Sequence, residues 1–434
     1  MIENRVEWIK QRPYLCMAPY KNNDHRLFNK RLSITTCCNL DNTFQKNKTA
    51  REFIDSIKQQ MENKQVPPAC HICTNHETNQ GISERIKLML DWPIADLIKF
   101  EQDKDINEFQ IGTKFSNKCS LACRSCAPNE SSFWAEKMRV PAQIESTRDL
   151  SDDPVYWKQF TESVLHEHSK ANSFILHPIG GEPLITSGFE KLLDWMITQD
   201  LAATTTLRIT TSFAVNIEQF RDRLSQFRKV TFICSIDSVD ENYHYVRWPA
   251  KFSRINNNLQ EYLLIKDLYP NKYELLISMI FSLNNIFYVQ DIMDYWYNWC
   301  KANNTTVLLQ TTELFRPSAL MVQVLPTQYR DSLIPILEKI LDHAFFKEYN
   351  ANSFLEFFKN LLSVVQSPQQ YPDTLFEDYL KFSADYDRRT GTDSFVLNSR
   401  LYKLLNAQHR DIYQSWHNTA DINQPVFNIE KHYL

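Results

Sequence analysis

The sequence predicts an α/β fold: a parallel sheet of six strands bent into a partial (β/α)6 barrel, with a small cysteine-rich module ahead of it and helices behind it. Three observations carry that prediction. From about Phe109 to Leu341, short β-type runs alternate with helical patterns, the mark of βα units and a parallel sheet. The length of 434 residues suffices for one large domain and smaller appended ones, each burying its own core. Seven of the ten cysteines fall in clusters, either in the first hundred residues or directly after the first strand-type run.

The first stretch, residues 1–100, is polar and cysteine-bearing. Its clearest element is a helix over Thr49 to Glu62, where Thr49 and Glu52 form a capping box and Phe53, Ile54, Ile57 and Met61 form the apolar stripe. The second stretch, residues 101–344, holds the strand candidates Phe109 to Thr113, Phe174 to Ile179, Leu207 to Thr211, Val230 to Ile236, Leu275 to Phe281 and Val307 to Thr311. Stripes such as Phe189, Leu192, Leu193 and Met196 support helices between them. Alternation along the fourth candidate puts Thr231, Ile233, Ser235 and Asp237 on one face and Val230, Phe232, Cys234 and Ile236 on the other. A polar face there suits a barrel interior.

The third stretch, residues 345–434, carries helical patterns at Phe354, Leu355, Phe358, Leu361 and Leu362 and again at Leu375, Tyr379 and Phe382, separated by a loop over Ser367 to Thr374. A net charge of −4 provides no global field for nucleic acid or an anionic membrane. The aromatic run Tyr295, Trp296, Tyr297 and Trp299 has no interleaved basic residues and fits a buried helix face better than a base-stacking platform. No continuous apolar segment of about 18 residues and no signal-peptide pattern occurs. The expectation is a cytoplasmic protein without membrane or nucleic-acid partners. Its thiols are reduced there, and grouped thiols commonly hold metal.

The strongest chemical signal is Cys119-Ser-Leu-Ala-Cys123-Arg-Ser-Cys126, just after the first strand, where a βα loop at the C-terminal edge of the sheet belongs. Three thiolates on one loop can hold three irons of a [4Fe-4S] cube and leave the fourth iron open to a ligand. A structural zinc site is the alternative, but it needs a fourth ligand, and no Cys or His follows Cys126 until His166. Glycine is scarce, six in all, so the adjacent Gly180 and Gly181 in Gly180-Gly181-Glu182-Pro183 mark a turn that needs their backbone freedom. In the first stretch stand Cys16, the pair Cys37 and Cys38, and Cys70-His-Ile-Cys73, followed by Glu77, Gly81, Ser83 and Arg85. A zinc knuckle on four of these five thiols is again the alternative. Cys234 and Cys300 are isolated and read as buried small hydrophobes.

In this order the motifs resemble the radical S-adenosylmethionine (SAM) superfamily, in particular the group that carries a twitch or SPASM-like auxiliary-cluster module, here at the N-terminus. Arg316-Pro317 through Leu325-Pro326 and Phe382 through Arg388 resemble the same group, so the likeness runs nearly the whole chain. The resemblance implies a cluster on Cys119, Cys123 and Cys126 that binds SAM, whose reductive cleavage yields a 5′-deoxyadenosyl radical that abstracts hydrogen from a substrate. It implies that Gly180, Gly181 and Glu182 contact the methionyl amino group, that Ser235 contacts the ribose or methionyl part, and that Arg247 pairs with the carboxylate, with a surface arginine as the other reading. Asn284 or Asn285 is a weaker candidate for the same work.

It also implies an auxiliary [4Fe-4S] cluster on Cys16, Cys37, Cys70 and Cys73, with Cys38 as the alternative to Cys37. The implied partners are a flavodoxin- or ferredoxin-type electron donor and a substrate, either a peptide to be crosslinked, epimerised or oxidised or a small molecule such as a sugar or nucleoside. The reading from a different class is a zinc-bound, non-catalytic binding protein. Two departures from the family pattern stand out. Ser125 takes the cofactor-side position where many members have an aromatic residue against adenine. The third strand ends Thr211-Ser212-Phe213 where many have Thr-Asn-Gly, so no cofactor role is assigned there. His71 and His76 read as solvated or structural, and His177 as facing either the substrate or a satisfied barrel interior.

Overall fold

The computed structural model describes residues 5–28, 31–35, 37, 40–41, 44, 50–78, 83–90, 92–103, 108–142, 148–314, 317–349, 351–369 and 371–427. Among the described residues, eight strands form one sheet: β1 (Asn22–Phe28), β2 (Arg31–Thr35), β3 (Glu108–Thr113), β4 (Ser173–Pro178), β5 (Thr205–Thr211), β6 (Lys229–Ser235), β7 (Tyr273–Phe281) and β8 (Leu308–Glu313). Their order is β2-β1-β3-β4-β5-β6-β7-β8. Pairing from β3 through β8 is parallel throughout. Six consecutive parallel strands joined by right-handed crossovers place all their helices on one face, so the sheet curls about the other. All six strand candidates are found, within two residues at each end.

One feature of the sheet was not expected. β1 runs parallel to β3, pairing Asn22 with Gln110 and His25 with Thr113, and β2 folds back antiparallel on β1. The cysteine-rich stretch thus extends the barrel sheet at its open edge. A run such as Asn22-Asn-Asp-His-Arg is too polar to read as a strand, and the pairing with β3 overrides its weak propensity.

The alternation expected for β6 is observed. Val230, Phe232, Cys234 and Ile236 enter the main hydrophobic core together with Leu207 and Ile209 of β5 and Leu275, Ile277 and Met279 of β7. The helix Ser187–Thr198 covers this face with Phe189, Leu192, Leu193 and Met196, all fully buried, each contributing about 1.5–3 kcal/mol. Its start is fixed by Thr186, which accepts a hydrogen bond from Phe189 N at 3.3 Å. The aromatic run lies on the helix Val289–Ala302, with Trp296 and Trp299 buried.

Behind β8, the helix Asn352–Gln366 packs on the strand, and Phe354, Phe357 and Phe358 surround the ring of Phe281. The next helix, Asp373–Thr390, is not peripheral: nine of its side chains, from Phe376 to Asp387, are buried. The cysteine-rich stretch has two small cores of its own. One gathers Ile9, Leu15, Met17, Ile86, Met89, Leu97 and Phe100, and the other joins Cys16, Ala18 and Leu40 to Phe53, Ile57 and Met61 of the helix Ala50–Glu62. Thr49, the expected cap of that helix, lies outside the described residues, as do Cys38, Gly81 and Arg316. Among the described residues, no helix is long and apolar enough to cross a membrane.

Candidate active site

The chain leaves β3 at Thr113 and reaches Cys119, Cys123 and Cys126 in a loop clamped from three sides. The segment after the helix Asp240–Val246 forms one side: Ala122 N donates to Trp248 O at 2.8 Å and Arg124 N to Val246 O at 3.0 Å. The double-glycine turn after β4 forms the second. Gly180 and Gly181 have φ of +83° and +53°, and a Cβ on Gly181 would run into the carbonyl oxygen of Lys118, directly before Cys119. Glu182 N donates to that same oxygen at 2.8 Å. Glycine is required at this turn for a positive φ and for close backbone approach to the cysteine loop.

The C-terminal helices form the third side. Arg124, between the second and third cysteines, is fully buried, with its guanidinium 3.6 Å from the Tyr245 ring centroid and 4.2 Å from that of Tyr386. It donates to Tyr245 O at 2.9 Å, to Thr392 Oγ1 at 3.1 Å and to Asp387. Asp387 also accepts from Thr392 Oγ1 at 2.7 Å, Ser394 N at 2.8 Å, Ser394 Oγ at 2.5 Å and Tyr413 OH at 2.6 Å. Burial lowers the Arg124 pKa, but the Asp387 carboxylate together with Tyr245, Tyr386 and Tyr402 outweighs it and holds the charge on. Tyr386 OH donates to Ala122 O inside the cysteine loop.

The three thiols are themselves buried or half-buried, and their titration reflects that. Burial pushes Cys119 up to about 12, with Cys123 adding to the effect. Burial, then Cys123 and Cys119, holds Cys126 well above the usual thiol range. Cys123 is raised by burial against the pull of Arg247, whose Nη1 stands 3.6 Å from its sulfur. Three thiols that resist ionisation through burial, two of them also because of neighbouring thiols, are a donor set that a cationic centre would relieve, releasing protons as it binds. Among the described residues, no three His, Cys, Asp or Glu side chains gather tightly enough to share one metal ion. A [4Fe-4S] cube asks instead for thiolates spread around a cluster, one on each ligated iron.

The residues assigned to SAM by resemblance are near this loop but already partnered. Glu182 is completely buried and accepts from Thr211 Oγ1 at 2.8 Å, Ser212 N at 2.7 Å, Ser212 Oγ at 2.5 Å and Leu184 N at 3.3 Å. Burial raises its pKa and these donors pull it back. Thr211 and Ser212, given no role from the sequence, therefore hold the carboxylate in place. Arg247 Nη2 lies 2.6 Å from Asp237 Oδ2, and Asp237 Oδ1 accepts from Ile280 N at 2.8 Å. Alternation along the strand puts Asp237 on the inner face, but only the fold makes it the counter-ion of Arg247. Ser235 and Ser125 are half-buried at the end of β6 and in the cysteine loop. Asn285 ties strand ends together, donating to Asp237 O at 2.7 Å and Ile280 O at 2.9 Å, and Asn284 is buried with its Oδ1 accepting from Tyr379 OH at 3.4 Å.

The curled face of the sheet borders a cavity of about 710 Å³, reached by Gln110, His177, Arg208, Thr231, Glu274 and Gln310 from the strands and by Cys16, Cys37, Cys70 and Cys73 from the N-terminal stretch. The structure thus brings these four thiols to the border of one cavity shared with the strands. Burial first, then neighbouring thiols, lifts Cys70 to about 12; burial lifts Cys16 to about 11 against the pull of Arg85. Arg85 is buried and donates to Glu77 Oε2 at 2.6 Å, Arg12 O at 3.0 Å and Leu15 O at 2.9 Å, so the residues that follow Cys73 in sequence lock the module around its thiols. Cys234 and Cys300 are buried away from both groups, in the main core.

No family model matches the chain, and no curated protein matches it. Among solved structures, anSMEcpe with bound AdoMet and Cp18Cys peptide aligns at a TM-score of 0.35 and 17% identity, over 54% of this chain and 61% of that one. Streptococcus suis SuiB bound to its precursor peptide SuiA aligns at a TM-score of 0.36 and 12% identity, over 65% and 62%, and SuiB bound to S-adenosylmethionine at 0.34 and 14%, over 61% and 53%. The chain spans under two thirds of the length of these structures. At such scores the likeness adds nothing to the strand order and loop geometry described above.

Proposed function

We propose that this chain is a radical SAM enzyme whose cluster is held by Cys119, Cys123 and Cys126 and whose substrate is a peptide that it modifies. The observation that carries the reading is the fastening of three thiols, one buried and two half-buried, on one βα loop against a double-glycine turn, at the carboxyl end of a parallel sheet. When bound there, a [4Fe-4S] cluster with one iron open to SAM supplies the electron that cleaves the sulfonium to a 5′-deoxyadenosyl radical. The chain's own part is positional. The Gly180-Gly181 turn brings backbone close to the cofactor site, Glu182 is kept ionisable by Thr211 and Ser212, and Arg247 carries a fixed positive charge beside Cys123. Ser235 and the Ser125 position border the remaining cofactor surface.

The division of labour follows the three stretches proposed from the sequence: residues 1–100 for the auxiliary module, 101–344 for the barrel and 345–434 for the helices that brace it. The four thiols Cys16, Cys37, Cys70 and Cys73, with Cys37 favoured over Cys38 by the family resemblance, would hold an auxiliary cluster bordering the cavity. A flavodoxin- or ferredoxin-type protein would deliver the reducing electron. The cavity volume lies within the range of small-molecule sites, which keeps a small-molecule substrate as the second reading.

Anaerobic reconstitution with metal analysis tests the proposal. About eight irons per chain support two cubanes, whereas one or two zinc ions would refute it. Incubation with a panel of peptides followed by mass spectrometry separates the peptide from the small-molecule reading.

A further inference from the structure

The inner face of β5 carries a charge that the cofactor reading does not use. Arg208 lines the cavity beside His177 and Gln110. Its Nη1 donates to Gln110 Oε1 at 3.2 Å, and among the described residues it meets no carboxylate. Other cationic groups near the cavity are neutralised: Arg85 by Glu77 at 2.6 Å, and Lys229 by Glu274 at 2.6 Å. Nor does His177 offer a negative partner. Gln110 Nε2 stands 3.4 Å from its Nδ1 and Thr210 Oγ1 2.8 Å from its Nε2, so a neutral ring accepts from the first and donates to the second. Burial, and then the Arg208 charge, keeps that ring uncharged. Arg208 precedes Thr211, which holds Glu182, by three residues, or about 10 Å along the strand.

An uncompensated guanidinium inside a walled cavity is costly unless an anion reaches it, and its planar fork matches a carboxylate. We propose that Arg208 anchors the substrate by receiving a carboxylate of the peptide presented to the cofactor site. The inference rests on the radical-enzyme reading for its location and names the chemistry that the same cavity selects. The carboxylate belongs either to an Asp or Glu side chain or to the end of the peptide chain.

Calorimetric titration of the anaerobically reconstituted, full-length protein tests this without requiring turnover. The probes are N-acetyl-glutamate α-amide, which bears a side-chain carboxylate, N-acetyl-glutamine, which bears a terminal one, and N-acetyl-glutamine α-amide, which bears none. One of the two carboxylates should bind at least tenfold more tightly than the diamide and thereby identify its source. Arg208→Gln should erase that preference, and Arg208→Lys should retain part of it in a protein of unchanged melting temperature. Equal binding of all three probes to the wild type, or an undiminished preference in Arg208→Gln, overturns the proposal. Should Arg208→Gln fail to fold, the wild-type comparison and Arg208→Lys decide. Failure of the radical reading would appear separately, as absent 5′-deoxyadenosine in the wild type, and would leave the binding preference intact.

Discussion

The two thiol groups of this chain are held in opposite ways. Cys119, Cys123 and Cys126 lie on a loop whose central arginine is sealed into the protein by Asp387, more than 260 residues later, with tyrosine rings on either side of it. Cys16, Cys37, Cys70 and Cys73 line a cavity, in a stretch with its own small cores, locked by Arg85 onto Glu77 and nearby carbonyls. The first arrangement commits the C-terminal helices to the barrel; the second is local. Under the proposed function, a site that would hold its cluster rigidly against a cofactor turn is built into the largest core. A module whose metal would be coupled to its folding could stand on fewer contacts.

The largest effect should come from breaking the global lock. Asp387→Asn leaves the Arg124 charge buried without its counter-ion and should cost about 3–5 kcal/mol in urea denaturation, with iron lost from the barrel cluster. A cost below about 1 kcal/mol would mean that the pair does not fasten the loop. Arg85→Met should remove about 3 kcal/mol, but locally. Limited proteolysis should then cut within the first hundred residues and leave the barrel intact; cleavage spread over the whole chain would erase the contrast between the two regions.

The glycine turn sharpens the comparison at a finer scale. Gly181→Ala combines a positive φ with a clash against Lys118 O and should cost about 2 kcal/mol, whereas Gly391→Ala has the same backbone demand, φ +68°, but open space around it, and should cost about 1 kcal/mol. Equal costs in thermal denaturation would deny that the turn presses on the cysteine loop.

A pH-dependent effect concerns His177, whose pKa burial and Arg208 lower to about 3, against about 6.5 in the unfolded chain. The unfolded state therefore takes up a proton first, and the stability contributed by this neutral histidine is complete above about pH 6.5 and declines as pH falls toward 3. His177→Gln should lose less stability than the wild type between pH 7 and 4.5. An identical acid profile would show that the ring is not held neutral.

The barrel strands were legible because their alternation and the helical stripes between them are strong periodic signals, as Val230 through Asp237 show. The cysteine loop and the glycine turn were legible from spacing and from the scarcity of glycine. β1 was not, because it has no apolar pattern and exists through its pairing with β3. The roles of Arg124, Asp237 and Asp387 were hidden for a different reason: an ion pair joins residues that periodicity cannot relate. A charged residue between two ligand cysteines is the available sign at Arg124. Thr211 and Ser212 carried no such sign, since only the folded turn brings Glu182 to them.

The central claim is that the barrel loop, and not the N-terminal thiols, serves the cofactor. The direct test is 5′-deoxyadenosine formed from SAM by reduced protein without substrate, compared between Cys126→Ala and the double variant Cys70→Ala/Cys73→Ala. The account predicts none from Cys126→Ala, which keeps part of its iron, and continued formation by the double variant after it has lost about four irons. Undiminished 5′-deoxyadenosine from Cys126→Ala would contradict it.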